Sequence, residues 1–279
     1  MSAAWEAPPR VDTRLGVLTW NLWWRFGPWA ERQPAIAATL ARLAPDVVCL
    51  QEVWASRDGE RQADRLAAAL GGYHVAEAAG LDVDLAEHSL GNAVLSRWPI
   101  RAHEARRLPA PPGLDELRVV LRAEIEGPRG PLEVFTTHLN FRLDQSDVRQ
   151  AQVRAVCEFV AETTASRAFP PVLCGDFNAE PVADEIRMLT GLATVPVPKL
   201  VFLDAWAAAG DGGPGCTWRN ANPFAALDSE PDRRIDYVLV GYPRDHGTGQ
   251  VVTARLEGTE PVAGVYPSDH CAVYAELRY

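Results

Sequence analysis

Val172-Leu-Cys-Gly-Asp-Phe-Asn-Ala-Glu180 runs from apolar residues into a glycine, then sets an acid and an amide two residues apart. Val172, Leu173 and Cys174, entered through Pro170 and Pro171, have the make-up of a short buried strand. Gly175 allows a sharp turn or a close backbone approach. Asp176 and Asn178 then lie at the strand's carboxyl end, and side chains two apart on an extended chain point the same way. The acid can take a proton or hold a cation. The amide can donate to a phosphoryl oxygen or orient a water. Together they suit a metal-assisted reaction on a phosphate. Taken alone, the same residues read better as an Asx turn that closes a strand.

Working outward from this stretch, the device recurs. Leu15–Trp20 alternates like a strand and ends at Asn21, and Val47–Gln51 is a buried run that delivers Glu52. Leu132–Leu139 carries His138, Arg233–Val240 carries Asp236, and Asp269-His270 introduces Cys271–Leu277. A single histidine beside a strand is usually a satisfied structural residue. Six polar placements at the edges of apolar strands instead supply carboxylates for a hard cation, amides for phosphate oxygens and two histidines for acid–base work.

Between these strands the spacing predicts helices. Ile36, Leu40 and Leu43 keep helical period with Pro34 in the first turn; Arg61–Leu70, Ser146–Val160 and Val182–Leu189 follow the same rule, and Asp204 opens a short helix. Leu117–Glu126 and Leu132–Leu139 form a hairpin about Gly127–Gly130. Ala78–Leu90 reads as an acidic loop before a strand at Gly91–Ser96. Pro109–Leu114 reads as a proline-rich connection and Leu192–Leu203 as an irregular excursion. Buried strands mixed with amphipathic helices imply an α/β (α+β) domain over residues 15–279, behind a tail at 1–14, with packed sheets flanked by helices.

Composition narrows the partners. Of 279 residues, 47% are hydrophobic and 23% charged, enough for a large core. Thirty-seven acidic against 27 basic residues leave a net charge of -10, which disfavours a generic nucleic-acid binder. The five cysteines (Cys49, Cys157, Cys174, Cys216 and Cys271) include no Cys-x-x-Cys pair, and three of them sit in apolar strand-like runs. Free thiols in a reducing compartment are expected. The polar start of the chain and the lack of an apolar run of membrane-spanning length lead to the expectation of a soluble, cytoplasmic monomer without a transmembrane segment.

The ordered set Thr19-Trp-Asn21, Leu50-Gln-Glu52, Thr137-His138, Gly175-Asp-Phe-Asn178, Arg234-Ile-Asp-Tyr237 and Ser268-Asp-His270 resembles the endonuclease/exonuclease/phosphatase superfamily. Each motif is weak alone, and the ordered set is specific. The resemblance implies a four-layer αββα sandwich of two packed mixed β-sheets with outer helices. It also implies a magnesium-dependent hydrolase of phosphate esters, with manganese as a substitute. By position, Glu52 matches the main metal carboxylate, with Asn21 beside it and Asp269 as a second acidic contact. Asp176 matches the acid that orients or deprotonates water, Asn178 the amide that holds phosphate and water, and Asp236 with His270 an Asp–His pair. His138 matches a phosphate contact or leaving-group acid. The resemblance leaves open whether Asp176 or His270 is the base. The bland reading of Asp236 is an ion pair with Arg233 or Arg234. Zinc is not indicated, since no compact His/Cys cluster appears.

Two departures bear on substrate. Trp23 stands where abasic-site endonucleases have a second acid, and His138 stands where they have a tyrosine. Both lean toward the deoxyribonuclease, sphingomyelinase and 5-phosphatase branches. Gly91–Ile100 is similar to a segment of bacterial sphingomyelinases, which implies a phosphate contact for Asn92, against the bland role of a turn residue. Trp23, Trp24, Phe26 and Trp29 follow Asn21, Trp54 follows Glu52, and Trp218 precedes the Asp236 strand. These rings are candidates for a substrate-binding rim, against the bland role of core packing. The expected substrate is a small-molecule or lipid-headgroup phosphodiester. A nuclease, a phosphomonoesterase or a binding protein that has lost turnover are the alternatives.

Overall fold

The computed structural model describes residues 10–85, 87–110, 113, 117–165 and 168–279, with the backbone alone for 80–85. Most of the tail at 1–14 and parts of the Pro109–Leu114 connection therefore lie outside the described residues.

One six-stranded sheet contains β1 (Arg14–Asn21), β2 (Val47–Ser56), β3 (His74–Leu85), β4 (His88–Ser96), β11 (Val251–Glu257) and β12 (Ala272–Arg278), in the order β11-β12-β1-β2-β4-β3. The other contains β5 (Ile100–Arg107), β6 (Val119–Gly127), β7 (Gly130–His138), β8 (Val172–Asp176), β9 (Phe202–Asp204) and β10 (Asp236–Gly241), in the order β5-β6-β7-β8-β10-β9. Each sheet has one parallel pair at its centre, β1 with β2 and β7 with β8. A parallel pair needs a crossover, which α1 (Trp29–Leu43) and α3 (Ser146–Thr163) supply.

Alternation along the strands divides the core. Val17, Cys49, Val134 and Cys174 face the space between the sheets. Leu18, Val48 and Leu50 face outward onto Ile36 and Leu40 of α1 and Leu66 of α2 (Gln62–Ala69). Phe135 and Leu173 face outward onto Val156 and Phe159 of α3 and Ile186 of α4 (Asp184–Thr190). The result is helices, sheet, sheet, helices, with a short α5 (Ala205–Ala209) capped by the Asp204 carboxylate. Gly175 is required where β8 passes β7: its φ is +152°, and a Cβ there would stand 2.1 Å from the Thr137 carbonyl oxygen.

Three expectations are corrected. Ala78–Leu90 is not a loop, because β3 and β4 pair through it as a hairpin with Leu85 opposite His88. The acidic residues in that stretch alternate with apolar ones, as an edge strand allows. β5 was not anticipated, since its largely exposed residues, among them Arg101, His103 and Glu104, lack any apolar pattern. Pro34 lies inside α1 rather than in its first turn. The Gln33 side chain donates to the Trp29 carbonyl (3.0 Å) in the turn that the proline weakens. Among the described residues no helix is long and apolar enough to cross a membrane.

Candidate active site

The topology itself collects the polar residues. β1, β2, β7 and β8 are central parallel strands whose carboxyl ends lie at one edge of the sandwich, where open α/β sheets bind ligands. β10 and β12 run antiparallel to β8 and β1, so their amino ends reach the same edge: Asp236 sits opposite Asp176, and Val273 opposite Thr19.

Asn21 joins the two sheets. Its Nδ2 donates to Glu52 Oε1 (3.1 Å) and to Asp176 Oδ2 (3.0 Å), while Oδ1 accepts from the Trp23 amide (2.9 Å). Below it, buried Gln51 donates across the gap to Thr136 Oγ1 (2.9 Å). By strand alternation Glu52 belongs on the helix side of its sheet. A bulge in the β2–β4 register between Leu50 and Val53, with Glu52 at φ +54°, turns it toward the cavity instead. Glu52 Oε2 is buried without a hydrogen-bond partner. Burial raises the Glu52 pKa against the Asn21 hydrogen bond and the charges of His270 and Arg118.

Asp176 accepts from the Asn178 amide (2.9 Å), so the Asx turn and the site coexist in the same residues. Asn178, at φ +51°, donates its side-chain amide to the Leu139 carbonyl (3.1 Å). Two imidazoles face the same carboxylate oxygen, His138 Nε2 at 3.4 Å and His270 Nε2 at 3.8 Å. Burial works against the charged Asp176, but His138, His270 and the bonds from Asn21 and Asn178 prevail and hold its pKa low. His138 Nδ1 is 2.9 Å from Arg118 Nη1, which can only donate, so the neutral ring carries its proton on Nε2. Burial and the Arg118 charge push the His138 pKa down to about 3.

His270 Nδ1 is 2.9 Å from Asp236 Oδ2, and Trp218 meets the ring edge-on at 5.0 Å between centroids. Burial opposes charging His270, yet Asp236, Asp269 and Asp176 outweigh it and raise the pKa well above that of a free histidine. Asp269 is pushed up to about 7 by burial, with His270 opposing and Glu52 adding. The ion-pair reading of Asp236 does not hold: Arg233 pairs with Glu230, and Arg234 with Asp204.

These groups floor a cavity of about 420 Å³. The structure brings Asn21, Glu52, His138, Asp176, Asn178, Asp269 and His270 to its lining, with Asp236 directly behind His270. Of the aromatic candidates, Trp23 and Trp218 line it, joined by Phe26. Trp24 and Trp54 do not. Trp24 is tied to the Ser89 carbonyl (2.9 Å), and Trp54 is fully buried, edge-on to Trp29. Asn92 does not line the cavity either; it is buried and donates to the Val119 carbonyl (3.1 Å), so it steadies the strand that follows Arg118.

Sequence reading missed Arg118, Arg233 and Phe141, all in the lining. Arg118 stands just before the apolar run Val119–Leu121, a polar residue at a strand edge like the others. It lies at an amino end, and only the antiparallel pairing of Val120 with Thr137 brings it beside His138.

Two groupings can hold a cation. Asp176, Asp236 and His270 present ligand atoms within 4.8 Å of one another, but His270 Nδ1 already engages Asp236. Glu52 offers an oxygen with no other use. A buried carboxylate oxygen without a donor is costly, so the residues present fit a hard divalent ion at Glu52.

The model of the endonuclease/exonuclease/phosphatase family matches residues 18–270. The chain belongs to that family. Its members are metal-dependent phosphoester hydrolases. The chain is 25% identical over 282 residues to a Drosophila melanogaster protein designated "Putative neutral sphingomyelinase", covering 95% of the chain and 60% of that relative. It is 30% identical over 183 residues to Protein angel of the same organism, covering 60% of the chain and 48% of the relative. The chain thus spans less than two thirds of the length of either. Among solved structures, an endonuclease/exonuclease/phosphatase protein from Beutenbergia cavernae DSM 12333 superposes with TM-score 0.73 at 26% identity, over 96% of this chain and 72% of the other. D. rerio TDP2 complexed with a single-strand DNA product superposes with TM-score 0.74 at 21% identity, over 96% and 100%, a likeness of fold.

Proposed function

We propose that the chain is a magnesium-dependent phosphodiesterase that hydrolyses a small-molecule or lipid-headgroup phosphodiester. The observation that carries this reading is the Asp176 carboxylate, held by Asn21 and faced by both imidazoles beside the unpartnered oxygen of Glu52. Glu52, with Asn21 and Asp269 near it, would hold the ion, which when bound offsets phosphate charge and stabilises the leaving oxyanion. Asp176, kept ionised, accepts the proton of the attacking water and orients it. Asn178 and Arg118 bind phosphoryl oxygens. Charged His270, fixed by Asp236, stabilises the growing negative charge, and neutral His138 presents its Nε2 proton toward the same centre. Trp23, Phe26 and Phe141 bind the part of the substrate that does not react.

A nuclease is the second reading, favoured by Arg118 and Arg233 in the cavity and by the fold shared with a DNA-bound protein. Asp228 and Glu230 in the lining and the net charge of -10 oppose a polyanion. A magnesium-containing panel of sphingomyelin, glycerophosphodiesters, phosphomonoesters and single-stranded DNA tests both. Preferred turnover of a lipid or small diester supports the proposal. Preferred turnover of DNA replaces it, and full activity in excess chelator removes the metal.

A further inference from the structure

Arg32 is fully buried on α1, and among the described residues no carboxylate forms an ion pair with it. Its two terminal nitrogens donate to backbone alone, while Nε is buried without a partner. Nη1 donates to the Leu22 carbonyl (2.8 Å) and, in the segment that precedes β12, to the Pro267 carbonyl (3.0 Å). Nη2 donates to the carbonyls of Trp23 (2.9 Å), Trp24 (3.1 Å) and Phe26 (3.1 Å). The planar fork of arginine reaches five acceptors, which the compact ammonium of lysine cannot.

The segment so held is strained. Trp23 and Trp24 are consecutive non-glycine residues at φ +56° and +34°, a conformation that persists only where its surroundings impose it. This turn sends Trp23 into the cavity lining, where its ring packs on Phe224 at 4.8 Å and lies over the Arg32 guanidinium at 4.8 Å. The segment on the other side, Pro267–His270, carries Asp269 and His270. Ser268 Oγ adds a second tie by donating to the Asn21 carbonyl (2.7 Å).

We infer that Arg32 is a positioning residue, a clasp that fixes the Trp23–Phe26 wall against the Asp269–His270 segment and so sets affinity for the non-reacting half of the substrate. The kinetic part rests on the proposed function; the clasp itself does not.

The test uses Arg32→Lys and Arg32→Gln in the full chain. Hydrogen exchange should accelerate about tenfold or more in both 22–27 and 267–270, with β1 and β2 unchanged. With magnesium, KM for bis(p-nitrophenyl) phosphate should rise about tenfold while kcat stays within roughly threefold, the scale of one lost aromatic contact. KM for methyl p-nitrophenyl phosphate, which lacks the second ring, should hardly move. In a Trp23→Ala background Arg32→Lys should add nothing further. Acceleration in one segment only, acceleration throughout the molecule, a fall in kcat at constant KM, or additivity with Trp23→Ala would each overturn the clasp. Failure of both variants to fold would overturn it too, by assigning Arg32 to the core. If wild-type protein turns over neither diester, the hydrolase reading fails and hydrogen exchange still decides the clasp.

Discussion

Glu52 is expensive as it stands, a buried acid with one oxygen lacking a donor. Magnesium should therefore raise the melting temperature of the wild-type protein, since a ligand bound only by the folded state stabilises it. Glu52→Gln should abolish that rise, and without metal it should melt no lower than wild type, because it removes a buried charge whose second oxygen has no donor. An undiminished magnesium response in the variant would take Glu52 out of the metal site. At the centre of the site, Asp176→Asn should lower turnover about a hundredfold or more through loss of the general base, and His270→Ala by about as much through loss of the positive charge facing the developing oxyanion. Asp236 works through His270 at 2.9 Å. Asp236→Asn combined with His270→Ala should thus be no slower than His270→Ala alone. An additive double mutant would show that Asp236 has a separate role.

The elements around the site divide the tryptophans by function. Trp23 stands on a strained loop that faces the cavity, whereas Trp54 follows the β2 bulge and points into the core. Trp23→Ala should raise KM for an apolar diester with the melting temperature nearly intact. Trp54→Ala should cost about 3–5 kcal/mol of stability, as loss of a buried large ring does, and leave KM of the surviving enzyme unchanged. Calorimetry beside Michaelis kinetics reads both, and the reverse pattern would exchange the two roles. Sequence alone could not separate them, because each follows a site residue by two positions. The bulge that re-aims Glu52 also fixes where Trp54 points, and no residue type announces it. Strand ends with apolar runs behind them were legible: the carboxyl ends of β1, β2, β7 and β8 do meet. Edge strands were not, since β5 is mostly exposed and charged and carries no period. Arg118 was hidden for a third reason, a contact made by pairing between strands rather than within one.

At the scale of the molecule, the thiols report how tightly the layers close. Cys49, Cys157, Cys174 and Cys271 are buried, and Cys216 is half-buried. Burial pushes the Cys157 and Cys271 thiols up to about 12, far from the reactive thiolate. A thiol reagent at pH 8 should titrate about one equivalent, Cys216, in the native protein and all five in denaturant. Rapid native labelling of several thiols would mean that the sheets part readily. The order β11-β12-β1 places β12, made after every other described strand, beside β1. The Trp20 indole already donates to the His270 carbonyl 250 residues away (2.9 Å). While the ribosome adds that stretch, β1 has an open hydrogen-bonding edge with nothing to cover it, a natural template for joining another nascent chain. Enzyme activity should therefore appear only once β12 has been made and has paired with β1.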